Sequence, residues 1–158
     1  MSATINGFVW EADKDYAWAQ LEYNFNAAEH DVEIYSQNSK PLDDGIRYQI
    51  ELYINYPPAK GLYNFNNVGP EKVHANNAAA DVHGWMRNGM DDFFVSYSID
   101  GHVEITEITK EFIKGNFEYN SVTAKDSNSN FSDTIRVKNG KFFIPITVVS
   151  GKKWDGPK

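Results

Sequence analysis

The sequence predicts an all-β, single-domain protein: an antiparallel β-sandwich or closed β-barrel of about nine or ten strands. The domain spans residues 1–150, with a polar tail at 151–158. Three observations lead there. Apolar residues recur at every second position in one stretch after another, which turns one face of an extended chain to a core and the other to solvent. Turn dipeptides such as Asp100-Gly101 and Asn139-Gly140 fall between such stretches and suit the positive φ angles of tight hairpins. No amphipathic helices separate the strands, so the crossovers of a parallel sheet are missing.

Residues 4–12 set Phe8, Trp10 and Ala12 on one face, with Asn6-Gly7 read as a kink or bulge ahead of them. Asp13-Lys14-Asp15 makes a turn. Residues 18–25 alternate, with Ala19, Leu21, Tyr23 and Phe25 inward, and Val32 and Ile34 mark a short third strand. After a loop at 41–45, residues 46–56 alternate most clearly. Ile46, Tyr48, Ile50, Leu52, Ile54 and Tyr56 share one face, and Arg47, Gln49, Glu51, Tyr53 and Asn55 the other. Pro57-Pro58 ends that strand, because proline lacks the donor a ladder needs. A short strand at 61–65 follows.

Residues 66–92 show neither period and read as a long excursion, with a single helical turn at 78–82. Phe93, Val95, Tyr97 and Ile99 then alternate, and Asp100-Gly101 turns a tight hairpin into 102–108. Residues 103–149 form a β-meander. Ile113, Gly115, Phe117, Tyr119 and Ser121 line one face, and Ile135 and Val137 continue it. Asn139-Gly140 is read as the hairpin turn into Phe142, Ile144, Ile146 and Val148.

The 158 residues are 41% hydrophobic and 15% aromatic, enough for one continuous core. Lys and Arg number 15 against 22 acidic residues, for a net charge of -7, and the basic residues are scattered. Nucleic acid and anionic membrane surfaces need clustered positive charge, so neither is an expected partner. No apolar run is long enough for a transmembrane helix. The chain has no cysteine, which removes disulfides, thiol nucleophiles and Cys-ligated metals. Met1-Ser2-Ala3-Thr4 leads straight into a strand with no signal peptide, which fits a cytosolic protein or a mature exported one with an added Met.

Three pieces of the chain, in order, resemble one family. The opening Ala3-Thr4-Ile5-Asn6-Gly7-Phe8-Val9-Trp10-Glu11-Ala12, the strand Gly61-Leu62-Tyr63-Asn64-Phe65, and the closing set are similar to a family of small Gram-negative cell-envelope domains of unknown function, many of them predicted lipoproteins. The closing set is Val103-Glu104-Ile105-Thr106, Ile113-Lys114-Gly115-Asn116-Phe117-Glu118-Tyr119 and Ile135-Arg136-Val137-Lys138-Asn139-Gly140-Lys141-Phe142. Asn116 stands where that family usually has Thr, and residues 66–92 match none of its motifs. The resemblance implies a β-sandwich or barrel in the cell envelope, periplasmic or lipid-anchored at the outer membrane. It implies no activity, since the matched positions are strands and turns.

Chemistry has few places to reside. The loop with Asp126, Asn128, Asn130 and Asp133 offers oxygen ligands at nearly alternate positions, the pattern that opens a calcium loop. Phe131 replaces the Gly of that motif and Val137 its bidentate Glu, so calcium competes with a plain polar turn. His74, Asp81 and His83 fall in the excursion, with Asp91-Asp92 after it, and a metal site could be assembled from these; their spacing matches no helical HExxH motif and no close His-x-His pair, and loop histidines are commonly just exposed. Trp85 sits in the same aperiodic stretch. Together with His83, His74 and Tyr53 it makes the candidate ligand site, where rings stack on a ligand and polar groups bond it. Paired acids such as Asp43/Asp44 and Asp91/Asp92 are adjacent in sequence, whereas a glycosidase needs two carboxyls across a cleft. No G-x-S-x-G or P-loop pattern occurs.

The expectation is therefore a non-catalytic, envelope-associated binding or interaction module for a glycan or other small ligand, with no obligatory cofactor and calcium a candidate ion. Two other classes compete with it. One is a protein–protein partner such as an inhibitor or immunity protein, whose acidity suits a basic target. The other is a small hydrolase using loop carboxylates.

Overall fold

The computed structural model describes residues 1–23, 30–55, 58–65, 78–86, 93–123 and 134–149. The fold is all-β, an antiparallel sheet curled into a half-barrel. The described residues form β1 (Ser2–Ile5), β2 (Phe8–Glu11), β3 (Ala17–Tyr23), β4 (His30–Gln37), β5 (Ile46–Asn55), β6 (Gly61–Asn64), β7 (Ala78–Met86), β8 (Phe93–Ile108), β9 (Phe112–Thr123) and β10 (Thr134–Val149). These belong to one sheet in the order β2-β1-β10-β3-β4-β5-β7-β8-β6, with β9 pairing both β10 and β8. A 3-10 turn at Lys14–Tyr16 joins β2 to β3, where the sequence places a turn. The polar tail at 151–158 lies outside the described residues.

β5 forms where its alternation predicts. Tyr48, Ile50, Leu52 and Ile54 are all buried. Their ladder partners extend the same apolar face: Ser36, Ile34 and Val32 on β4, and Val82, Ala80 and Ala78 on β7. Burial of one such Ile or Leu stabilises the fold by about 1.5–3 kcal/mol. Trp10 is fully buried too, and its indole Nε1 donates to the Tyr48 carbonyl at 3.3 Å. That bond satisfies the one polar atom the ring carries into the core.

The turn dipeptides behave differently from their sequence reading. Asn6-Gly7 is the turn of the β1–β2 hairpin, with φ of 49° and 92°. Positive φ at both central residues matches a primed hairpin turn. The Asn6 side-chain Oδ1 accepts from the Arg136 amide at 2.8 Å, and the Asn6 amide donates to the Arg136 carbonyl at 2.9 Å. The two predicted hairpins at Asp100-Gly101 and Asn139-Gly140 are instead bulges. β8 and β10 run on through them as single 16-residue strands, and the register slips between Ser98 and Asp100 and between Val137 and Gly140. A bulge spends the same positive φ on bending a strand rather than reversing it, which long strands in a curled sheet need.

Two cross-strand pairs hold the bent region together. Phe117 of β9 faces Gly140 of β10, and Gly115 of β9 faces Phe142 of β10. A Cβ on Gly140 would lie 2.5 Å from the Phe117 ring, and one on Gly115 would lie 2.5 Å from the Phe142 ring and 2.1 Å from the Glu104 carbonyl. Each ring thus occupies the space its partner glycine leaves.

A further expectation is corrected. Residues 78–86 are strand β7, not part of a loop with a helical turn. Ala78, Ala79 and Ala80 are all fully buried, so both faces of that strand are covered and the apolar run shows no alternation. The antiparallel sheet carries one parallel ladder, β10 to β3 through Ile146↔Ala19 and Thr147↔Gln20. That ladder joins segments more than a hundred residues apart, which no local period records.

Candidate functional site

Because the even-numbered residues of β5 fill the core, its odd-numbered residues share the opposite face. Arg47, Gln49, Glu51 and Tyr53 stand opposite Trp85, His83, Asp81 and Ala79 of β7. On the other flank Gln37, Tyr35 and Glu33 of β4 stand opposite Gln49, Glu51 and Tyr53. This face is polar but not open: Gln49 is 7% exposed, Glu51 8% and Asp81 3%.

Hydrogen bonds tie most of the patch together. The Tyr35 hydroxyl lies 2.6 Å from Gln37 Oε1 and 3.0 Å from Gln49 Oε1. Gln49 Nε2 donates to Glu51 Oε1, and the Tyr53 hydroxyl donates to Glu51 Oε2. From the core, the Tyr119 hydroxyl donates to the Asp81 carbonyl at 3.3 Å. His83 Nε2 lies 3.8 Å from Glu51 Oε2, beyond hydrogen-bond reach. The His83 and Trp85 rings stack with centroids 6.2 Å apart, and the Arg47 guanidinium lies 5.9 Å over Trp85, within cation–π range.

The Asp81 carboxyl lies outside this network. Its Oδ1 is buried with no hydrogen-bond partner among the described residues. Burial, and then the neighbouring Glu51 charge, push its pKa up to about 8. Burial holds the His83 imidazolium below its ordinary range, against the pull of Glu51. Burial and the bond to Glu51 keep Tyr53 protonated. One donor atom each from Glu51, Asp81 and His83 lie within 4.8 Å of one another. Two carboxylates and an imidazole at that spacing can share a proton or hold a divalent cation.

Of the residues singled out from sequence, Tyr53, Asp81, His83 and Trp85 come together here. His74 lies outside the described residues, as do Asp126, Asn128, Asn130 and Asp133 of the candidate calcium loop. Trp85 and His83 are strand residues, not loop residues, and each is half-buried. Sequence reasoning passed over Glu51 and Gln49 as a solvated strand face. The signal for Asp81 was its alternation with His83 and Trp85, a period of two masked by the alanines before it.

A groove of about 320 Å³ lies elsewhere, lined by Met1, Glu11, Lys114, Lys141 and Phe143 among others. It brings together none of the residues with perturbed pKa values, apart from the Met1 amino group. Compared with known proteins, the chain matches no family model, no curated protein and no solved structure.

Proposed function

We propose that this protein is a non-catalytic binding module for a small polar ligand, a glycan being the first class to test, and that its site is the β5–β7 face. The observation that carries this reading is a half-buried rim of Tyr53, His83 and Trp85 beside a buried polar floor of Gln49, Glu51 and Asp81. Ligand sites characteristically combine ring surface with a few fixed polar groups. The floor supplies both donors and acceptors, and its hydrogen bonds hold it in place before a ligand arrives, which lowers the ordering cost of binding.

The fold reading is extended in the same proposal. We infer that the curled sheet closes into a barrel. The support is the circuit of ladders β3-β4-β5-β7-β8-β9-β10, since β10 also pairs β3. A location in the cell envelope accompanies the family resemblance. A second reading, a partner for another protein, draws on exposed Val9, Leu62 and Phe143, because exposed apolar side chains are what a partner surface uses.

The test is a melting scan against a panel of glycans and small polar ligands, with wild type and Trp85→Ala. A ligand that binds only the native state at a hundredfold excess over Kd adds about 2.7 kcal/mol. The reading holds when one ligand class raises Tm in wild type and not in a Trp85→Ala variant that still melts cooperatively. A flat panel defeats it.

A further inference from the structure

We infer that Glu51, Asp81 and His83 form a binding site for a divalent transition-metal ion such as zinc. This inference deepens the proposed function and rests on the same face of the sheet. Four observations lead to it.

The first is geometric. The three donor atoms lie within 4.8 Å of one another, and His83 Nε2 is 3.8 Å from Glu51 Oε2. Zinc holds such ligands about 2.0–2.2 Å away, so tetrahedral neighbours sit about 3.3–3.5 Å apart. The site needs to contract by a few tenths of an ångström between His83 and Glu51, and by up to about 1.4 Å for a pair at the 4.8 Å limit, which side-chain torsions supply. The residues lie on two hydrogen-bonded strands, with Asp81 and Glu51 directly in register, so the donors are placed by the ladder rather than by a mobile loop.

The second is the orphaned atom. Asp81 is 3% exposed, and its Oδ1 has no hydrogen-bond partner among the described residues. Buried carboxylate oxygens are almost always satisfied, and one that is not calls for an explanation. Its neighbours in the cluster are another carboxylate and an imidazole. A cation bound by the Asp81 carboxylate supplies the partner that it lacks.

The third is charge. Two carboxyl groups side by side in a buried patch repel one another. Apart from the partly buried His83, the described cation over this face is Arg47, which lies on Trp85 rather than on the carboxylates. A divalent ion neutralises both acids while leaving His83 as a neutral ligand.

The fourth is the outer shell. Glu51 already accepts from Gln49 and Tyr53, which orients the carboxylate as supporting partners orient metal ligands. The donor set is mixed oxygen and nitrogen, so it suits zinc and its neighbours better than calcium, which takes six to eight oxygens. Three protein ligands leave a fourth position for water or for a donor atom of the ligand proposed above.

The experiment uses untagged protein stripped with EDTA and dialysed, titrated with zinc chloride by calorimetry in wild type, Asp81→Asn and His83→Gln. Melting curves first establish that each variant folds; His83 is half-buried, so His83→Gln serves even where Asp81→Asn does not fold. The expected result is one zinc per chain, with affinity lower by at least about tenfold in each folded variant. A ¹⁵N shift of the imidazole signal that His83→Gln removes is expected on zinc addition. No binding to wild type, or equal affinity in the variants, overturns the site. The glycan panel is then repeated on the zinc-free protein. A glycan shift there without zinc binding leaves the binding module standing and removes the ion. Zinc binding with a panel that stays flat on both the zinc-free and the zinc-loaded protein upholds the ion and removes the small organic ligand.

Discussion

Asp81 stands directly opposite Glu51 across the β5–β7 ladder, so two carboxyl groups share one buried patch of sheet. Like charges at directly opposed positions destabilise a sheet, and burial raises the cost of ionising both. The pair therefore weakens the fold unless a proton or a cation lies between them.

That cost has a pH signature in metal-free protein. The Asp81 pKa is raised to about 8 in the fold, against about 3.9 in an unfolded chain. The folded protein binds the extra proton between those values, so this contribution to stability is full at low pH and is lost as pH rises through about 8. His83 has the opposite sign: its pKa is lowered in the fold, so its contribution is present above about 6.5 and is lost as pH falls below that. The window for Asp81 above the His83 range is therefore about pH 6.5 to 8.5; the Met1 amino group, whose pKa burial lowers, titrates there in both proteins and cancels in their difference. Glu51, Tyr53 and His83 share its face, Tyr97 of β8 stands opposite it, and Tyr119 bonds its carbonyl. Urea unfolding with a chelator should show wild type losing stability across this window and Asp81→Asn losing much less. Equal slopes in the two proteins would falsify the assignment.

The core makes a second prediction from burial alone. Leu52 is fully buried at the centre of the β4–β5–β7 ladders, whereas Leu62 is 61% exposed on β6. Leu52→Ala should cost about 2–5 kcal/mol, as cavity-forming substitutions do. Leu62→Ala should change stability by no more than about 0.5 kcal/mol. The difference between the two denaturation midpoints measures this directly, and similar losses would mean that β6 is covered.

The paired phenylalanines and glycines give a third. An added methyl at Gly140 meets only the Phe117 ring among its three nearest atoms, while one at Gly115 meets the Glu104 backbone as well as Phe142. Both alanine variants should be destabilised, by about 1–3 kcal/mol or more. Shrinking the facing ring should relieve one and not the other. Gly140→Ala with Phe117→Leu should recover part of the loss seen when the single effects are added. Gly115→Ala with Phe142→Leu should recover little, because the carbonyl cannot move out of a ladder. A double-mutant cycle separates these outcomes.

Much of this architecture was legible in the sequence because alternation survives wherever one face is buried and the other wet. β5 and β9 follow it closely. Legibility failed where both faces are buried, as at Ala78–Ala79–Ala80, and where one dipeptide serves two geometries. Asn6-Gly7 reverses the chain while Asn139-Gly140 only bends it. The choice is made by what each flank pairs with, and that pairing is non-local. The site was half-legible for the same reason. Tyr53, Asp81, His83 and Trp85 stood out as chemical types, but their meeting with Glu51 depends on the β5–β7 register, which joins segments about 30 residues apart.

Closure of the sheet makes the last prediction. β2 and β6 each pair with one neighbour among the described strands, β1 and β8 respectively, so their outer backbone groups are not held by a second ladder. β3 would be an edge too, and residues 146–149 of β10 would lose their ladder, if the parallel pairing between Ala19 and Ile146 did not persist in solution. Amide exchange reports such openings locally, with free energies from near zero at frayed edges up to the global value in the core. In a closed barrel the hydrogen-bonded amides of β3 and of residues 146–149 should exchange as slowly as those of the β4–β5 ladder. The outward amides of β2 and β6 should exchange much faster. If β3 and 146–149 exchange at the edge-strand rate, the sheet is open at that seam, and the β5–β7 site then lies on a curled but open surface.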